Sequence, residues 1–292
     1  MMLPRRRFLA MTACAMALPA AAPARHRWQG VALGADVALT VEGGDAAAAR
    51  AFFAEAERSL RAIERQFSLF TGSELKRLNA LGRLSHPSDD MLALLDLAGR
   101  VHEATGGVFD PTVQPLWQAR RLGQDEHAAM ALVGWQDLRV APGEIRLARP
   151  GMALTLNGIA QGFAADRLAA VAVRHRLTDV LIDAGEVRGV GPQDWRARIE
   201  APGGGMVREL TLRDRALATS AAMGTRIGPG GDRPHIMGPA GEGPHWALSS
   251  VSADSAALAD ALSTAAILMD RPAIDRALAA FPDARIEALV AL

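Results

Sequence analysis

Asp260 and Thr264 lie four residues apart in Ser255–Met269, a run of Ala, Leu, Ile and Met that contains neither Gly nor Pro. That composition predicts a helix. Positions i and i+4 share a helix face, so one carboxylate and one hydroxyl point the same way from an otherwise apolar element. Two hard oxygen donors at this spacing suit Mg²⁺, which takes few protein oxygens and completes its shell with water and phosphate. Mn²⁺ accepts the same donors. The same spacing also describes the solvated edge of an ordinary helix, and the pair alone leaves both readings open.

Four further stretches could do chemistry. In Thr105–Val113 a Gly pair allows close backbone approach to a ligand and Asp110-Pro111 fixes a turn; a plain helix stop followed by a turn reads the same way. In Leu156–Asp166 a strand is expected to run into a helix through Asn157-Gly158, offering backbone N–H groups and a positive dipole end to a phosphate. The carbonyl of Gly158 is then available to a cation. The loop is neither a Walker loop nor a GxGxxG turn. Thr219 and Ser220 supply small hydroxyls that suit phosphate or ribityl oxygens, or a strand end. His235 sits in the Gly/Pro-rich stretch Pro234–Gly241, with an ordinary pKa suited to proton transfer. A solvated, idle loop histidine is the alternative. No nucleophile elbow, HExxH or paired-Cys motif occurs, which argues against triad hydrolysis and zinc.

The elements that must position these residues alternate irregularly. Gly30–Val41 reads as a strand, Asp45 as the cap of a helix reaching about Gln66, and Phe67–Asn79 as a loop and short helix. Ser88 or Asp89 opens a helix to about Ala104, stopped by Gly106-Gly107. Strands are expected at 138–140, 144–147, 152–156, 180–182, 195–200, 207–212, 246–251 and 285–290. Helices are expected over 159–176 and 274–280 as well as around Asp260. This order predicts an α+β (mixed α/β) fold, one domain over residues 25–292 with mixed sheets flanked by helices.

Residues 1–24 read as a targeting segment. Arg5-Arg6-Arg7-Phe8-Leu9 gives the twin-Arg pattern of a Tat-type leader, followed by a short apolar run and small-residue cleavage sites at Ala20–Ala24. A general secretory signal is the alternative. Met11–Cys14 is a poor lipidation signal, so Cys14 is not expected to anchor the chain. Export to the periplasm is the expectation. Cleavage there removes the only cysteine, leaving stability to packing. Without those three arginines, 29 basic side chains face 32 acidic ones, a balance that gives no pull toward nucleic acid. Lys76 is the only lysine.

Taken in order, the motifs resemble the ApbE family, the FAD:protein FMN transferases, from about Gly30 to Asp270. Gly30–Gly34 is similar to the family's G-x-x-M-G opening. Phe67–Phe70 with Ser73–Asn79 resembles S-x-Y…S-E-L-x-R-L-N. Thr105–Val113 resembles T-x-G-x-F-D-P-T-V, and Asn157–Asp166 resembles G-G-I-A-K-G-Y-A-x-D. Ala218–Ser220, His235–Pro239, and Ser250-Val251 with Ala259–Thr264 resemble A-T-S-G, H-I-I-D-P and S-V…A-D-A-L-x-T. The resemblance implies FAD as substrate, FMN transfer to a Thr or Ser hydroxyl of an exported acceptor protein, and AMP release. It implies a cation on Asp260, Thr264 and a carbonyl near Gly158. It implies flavin or nucleotide contacts at Leu33, Phe70, Val108, Phe109, Asp110, Thr155, Gln161 and Met237. His235 is the candidate for removing the acceptor's proton.

The chain departs from the family pattern at several places. Thr155 stands where the family has an acid and Gln161 where it has Lys. Gly238 replaces the Asp of H-I-I-D-P, Ala35 a Thr, and Phe70 the Tyr that covers the flavin. The lost acid and ammonium suit a balanced swap or altered nucleotide affinity. An FAD pyrophosphatase with water as acceptor, and a non-catalytic FAD-delivery protein, are the rival readings.

Overall fold

The computed structural model describes residues 24–292. The leader, with Arg5, Arg6 and Cys14, lies outside the described residues apart from Ala24. The chain opens with β1 (Arg25–Ala32) and β2 (Ala35–Glu42), then α1 (Ala46–Phe67), α2 (Glu74–Leu81), β3 (Arg83–Ser85) and α3 (Asp89–Ala104). Next come α4 (Gln114–Leu122), α5 (Glu126–Met130), β4 (Leu138–Ala141), β5 (Glu144–Leu147) and α6 (Ala160–Arg174). The strands β6 (Val180–Asp183), β7 (Val187–Val190), β8 (Trp195–Glu200), β9 (Met206–Leu212) and β10 (Ala216–Ala221) follow. The chain closes with β11 (Arg226–Ile227), β12 (Arg233–Pro234), β13 (Trp246–Ala253), α7 (Ala256–Ala266), α8 (Arg271–Leu278) and β14 (Arg285–Ala291).

A seven-stranded sheet in the order β1-β2-β6-β7-β10-β13-β14 forms the centre, and every neighbouring pair in it is antiparallel. The fold is α+β, as the irregular alternation predicts. Alternating residues of the central strands face opposite layers. Ala216, Ala218, Val251 and Ala253 join Phe52, Leu168 and Leu262 of α1, α6 and α7 in the main core. Leu217, Leu248 and Ala288 point the other way and meet Trp195, Ile199 and Leu212 of the β8–β9 hairpin. A small sheet, β3-β5-β4, stands apart.

The helix starts follow their caps. Asp45 accepts from Ala48 N at α1, Ser73 from Lys76 N at α2, and Ser88 from Met91 N at α3. Two expected strands come out differently. Gly30–Val41 is a hairpin: Leu33 and Gly34 both adopt positive φ, 51° and 79°, the geometry of a tight turn between β1 and β2. Residues 152–156 are extended but form no strand. The Asn79 side chain takes the ladder's place, donating to Leu154 O and accepting from Leu154 N, both at 2.8 Å. The strands β7 and β10 complete the sheet beyond what alternation indicated.

α6 and α7 cap each other. α6 has no side-chain cap of its own at Ile159. Asp260 of α7 instead accepts from Gly162 N in the first turn of α6, at 3.1 Å. In return Asp166 of α6 accepts from Ala256 N and Ala257 N at 2.8 and 3.0 Å and from Ser255 Oγ at 2.7 Å, covering the start of α7. The helices approach so closely that a Cβ on Gly162 would lie 2.2 Å from Ala256 O. Helix propensity alone predicts that Gly162→Ala stabilises by about 1 kcal/mol. The crossing reverses that sign, because the obstacle is backbone. We expect a loss of about 3 kcal/mol, read from urea unfolding; a neutral or stabilising result would show that the crossing relaxes freely.

Candidate active site

The metal candidates sit where these two helices meet. Asp260 is 3% exposed, so the solvated-edge reading of the pair fails for the carboxylate. One of its oxygens is fixed by Gly162 N. Burial lifts its carboxyl to about 7, and that single N–H is the opposing influence. Thr264 is one turn along and half-buried. Gly158 lies against it: a Cβ there would come 3.0 Å from both Oγ1 and Cγ2 of Thr264. Any larger residue there would press on the Thr264 side chain. A desolvated carboxylate with one donor, a hydroxyl, and glycine backbone beside them form a hard-oxygen set that fits Mg²⁺ or Mn²⁺.

Two cavities flank the start of α6. One, of about 70 Å³, is lined by Val108, Phe109, Asp110, Thr155, Gly158, Met237 and Thr264 among others. The second, of about 210 Å³, is lined by Leu33, Phe70, Asn157, Ala160, Gln161, Thr225 and His235 among others. The turn 157–161 is the wall between them; Asn157 N donates to Thr155 Oγ1 and Ile159 N and Ala160 N to Leu156 O, while Gly158 N and Gln161 N make no hydrogen bond and can meet a ligand. A ligand with two lobes joined by phosphates matches this division.

The walls are built by local hydrogen bonding. Gly106 and Gly107 take φ of 63° and 88° and stop α3, as the helix-stop reading expects. Asp110 is committed locally: Oδ1 accepts from Thr112 N at 2.8 Å and Thr112 Oγ1 at 2.6 Å. Thr155 N donates to Pro111 O, tying this turn to the extended segment. Ser68 Oγ accepts from Phe70 N and Thr71 N, while Ser73 Oγ donates to Ser68 O. That loop projects Phe70, 78% exposed, at the larger cavity.

A buried acidic corner adjoins Asp260. Glu186 is pushed well above the ordinary range by burial and then by the Asp260 charge, with Asp183 adding to it and Thr219 N–H opposing. Burial also raises Asp183. Like charges in a buried corner oppose full ionisation of both carboxylates without a cation. Gln161 packs here; a Cβ on Gly185 would lie 2.8 Å from its Nε2. A neutral amide therefore stands beside this corner where the family pattern has an ammonium. His235 is not a free loop residue. It is half-buried, and its Nδ1 is buried without a hydrogen-bond partner. Burial holds it below the usual imidazole range, partly offset by backbone at Ala222 and Thr225, so the ring is neutral at pH 7.

The comparisons with known proteins agree with this geometry. The model of the ApbE family matches residues 33–290. The chain belongs to the ApbE family. A curated relative from Treponema pallidum (strain Nichols), named FAD:protein FMN transferase, is 30% identical, with 68% of this chain and 67% of the relative covered. Two solved structures share the fold. The ApbE protein of Thermotoga maritima msb8 superposes with a TM-score of 0.79 at 22% identity, over 92% of this chain and 97% of that one. The flavinyl transferase ApbE of Pseudomonas stutzeri, apo form, gives 0.76 at 24% identity, over 90% and 89%.

Leu33, Phe70, Val108, Phe109, Asp110, Thr155, Gly158, Gln161, His235, Met237 and Thr264 each line one of the two cavities, and Asp260 lies beneath the dividing wall. Thr219 and Ser220 are the fourth and fifth of the six residues of β10 and line neither cavity. Glu186, Asp183 and Asp166 were not singled out for chemistry or capping. The turn Asp183-Ala-Gly-Glu186 between two apolar runs was the available signal for a hairpin bringing two acids together.

The buried charge predicts a pH effect without ligand. A carboxyl raised from 3.8 to about 7 gives relative stability that is complete below pH 3.8 and is lost as pH rises through 7. With chelator present, Asp260→Asn should therefore be more stable than the parent at pH 8 by a few kcal/mol, with the gap closing toward pH 4. Denaturant unfolding at the two pH values checks it; a pH-independent gap would contradict the desolvated charge.

Proposed function

We propose that this chain is a cation-dependent flavin transferase that moves the FMN part of FAD onto a Thr or Ser hydroxyl of an exported acceptor protein. The observation that carries the reading is the paired cavity divided by the α6 N-terminus, with Asp260 and Thr264 at the division. Membership of a family whose curated relative is named FAD:protein FMN transferase supports the same chemistry.

FAD fits as two lobes joined by a pyrophosphate. Phe70 offers an exposed ring for stacking on the isoalloxazine at the larger cavity. The unbonded amides Gly158 N and Gln161 N, with the positive end of the α6 dipole, oppose negative charge on the phosphates. Asp260, Thr264 and the Gly158 carbonyl would hold the cation. Mg²⁺ or Mn²⁺, when bound, neutralises charge growing on the transferring phosphate. His235, neutral because buried, accepts the proton of the acceptor hydroxyl. The freed oxygen forms a bond to the FMN phosphorus, the P–O bond to AMP breaks, and AMP leaves with the displaced electron pair. No protein nucleophile is required, because positioning and charge neutralisation lower the barrier. Thr155 and Gln161 leave the pyrophosphate without the family's ion pair, so this chain relies more on helix amides and the cation.

Incubating the chain with FAD, Mg²⁺ and exported proteins of its source should yield a flavin-fluorescent band on a denaturing gel and one AMP per label. Asp260→Ala should remove both while the protein stays folded. AMP without a labelled protein would assign water as the acceptor; bound FAD with no AMP would assign delivery instead.

We also propose periplasmic placement through residues 1–24, on the twin-Arg pattern Arg5-Arg6. Replacing both by Lys should hold the precursor in the cytoplasm; unchanged export would contradict the route.

A further inference from the structure

Ser220 and Ser263 form a hydroxyl chain with Thr264 that the transfer chemistry above does not use. Ser263 Oγ donates to the backbone carbonyl of Asp260 at 3.0 Å. Ser220 Oγ lies 2.8 Å from Ser263 Oγ and 3.3 Å from Thr264 Oγ1. Each hydroxyl has a single proton and accepts through lone pairs, whereas a carbonyl only accepts. The Asp260 carbonyl therefore fixes the direction of the whole chain. The Ser263 proton goes to that carbonyl, so Ser263 accepts from Ser220. The Ser220 proton is then committed, so Ser220 accepts from Thr264. The Thr264 proton points into the protein, and its lone pairs are left facing Gly158 and the smaller cavity.

We propose that Ser220 and Ser263 are positioning residues that orient the Thr264 hydroxyl as a lone-pair donor for a divalent cation. The inference rests on the reading that Asp260 and Thr264 hold such a cation. It adds that the orientation is built in before the cation arrives. A threonine hydroxyl free to rotate would present its proton to the ion part of the time and would have to be ordered on binding. The chain begins on the backbone of the helix residue that carries the carboxylate and ends on the hydroxyl one turn away, a short network linking α7 to β10 that sets the hydroxyl, while Gly162 N holds the carboxylate. Ser249 provides an internal comparison. It is the cross-strand partner of Ser220 and is fully buried, but its hydroxyl has no partner and lies outside the chain.

Mn²⁺ titration of the purified chain, followed by electron paramagnetic resonance, tests this without any turnover. Ser220→Ala and Ser263→Ala should each weaken Mn²⁺ binding by about 10- to 100-fold, the usual cost of losing a group that orients a ligand. The double variant should bind no more weakly than Ser220→Ala, because one break already frees the Thr264 proton. Ser249→Ala should bind as the parent does, and thermal unfolding should show all variants folded. If the parent binds, Asp260→Ala does not, and Ser220→Ala matches the parent, the cation site stands and the orienting chain is overturned. An equal loss in Ser249→Ala assigns the effect to packing and overturns it as well. If the parent and Asp260→Ala both fail to bind, the cation reading falls and this inference with it.

Discussion

The reciprocal capping of α6 and α7 is the constraint from which the site follows. Each helix lends the other a carboxylate, Asp166 to the start of α7 and Asp260 to the start of α6. A cap from a distant helix does what a local Ser or Asp does elsewhere: it satisfies backbone donors that the first turn cannot pair. It also fixes how the two helices cross, and glycine at 162 is the residue that permits the approach. Because Asp260 caps from inside the protein, its carboxylate is desolvated. The same bond that holds the helices together thus prepares an electrostatically unsatisfied group beside a helix N-terminus.

That unsatisfied charge organises its surroundings. Burial, and after it the charge of Asp260, pushes Glu186 well above the ordinary carboxyl range. Gln161 faces this corner as a neutral amide, so no ammonium draws either acid into the ionised state. The proposed cation would make ionised Asp260 favourable. The hydroxyl chain through Ser263 and Ser220 serves the neighbouring donor by geometry instead of charge. Helix, sheet and buried acid thus meet within one corner of the fold.

Much of this was legible in the residues. The caps Asp45 and Ser88 sit before apolar periodicity and open α1 and α3. The Asp260–Thr264 spacing and the ordered motifs around it led to the two cavities. Other features were hidden for physical reasons. Leu33 adopts a positive φ without being glycine, so Gly34 was the one local signal of a turn in Gly30–Val41, and alternation on both sides masked it. Alternation in 152–156 is that of a strand, but its partner is the Asn79 amide, 75 residues away in the chain. Glu186 follows a glycine in a short hairpin, where its burial comes only from the layers folded over it. Ser220 looked like a strand-end or ligand hydroxyl, and its actual partners come from α7.

The most direct test of the cation site is crystallographic. A crystal soaked in Mn²⁺, with anomalous data collected at a wavelength where manganese scatters strongly, locates the ion without reference to activity. The account predicts one peak touching an Asp260 carboxylate oxygen, the Thr264 hydroxyl and the Gly158 carbonyl, with Gly162 N still bonded to Asp260. A peak elsewhere, or none while Asp260 retains only its bond to Gly162, would contradict it.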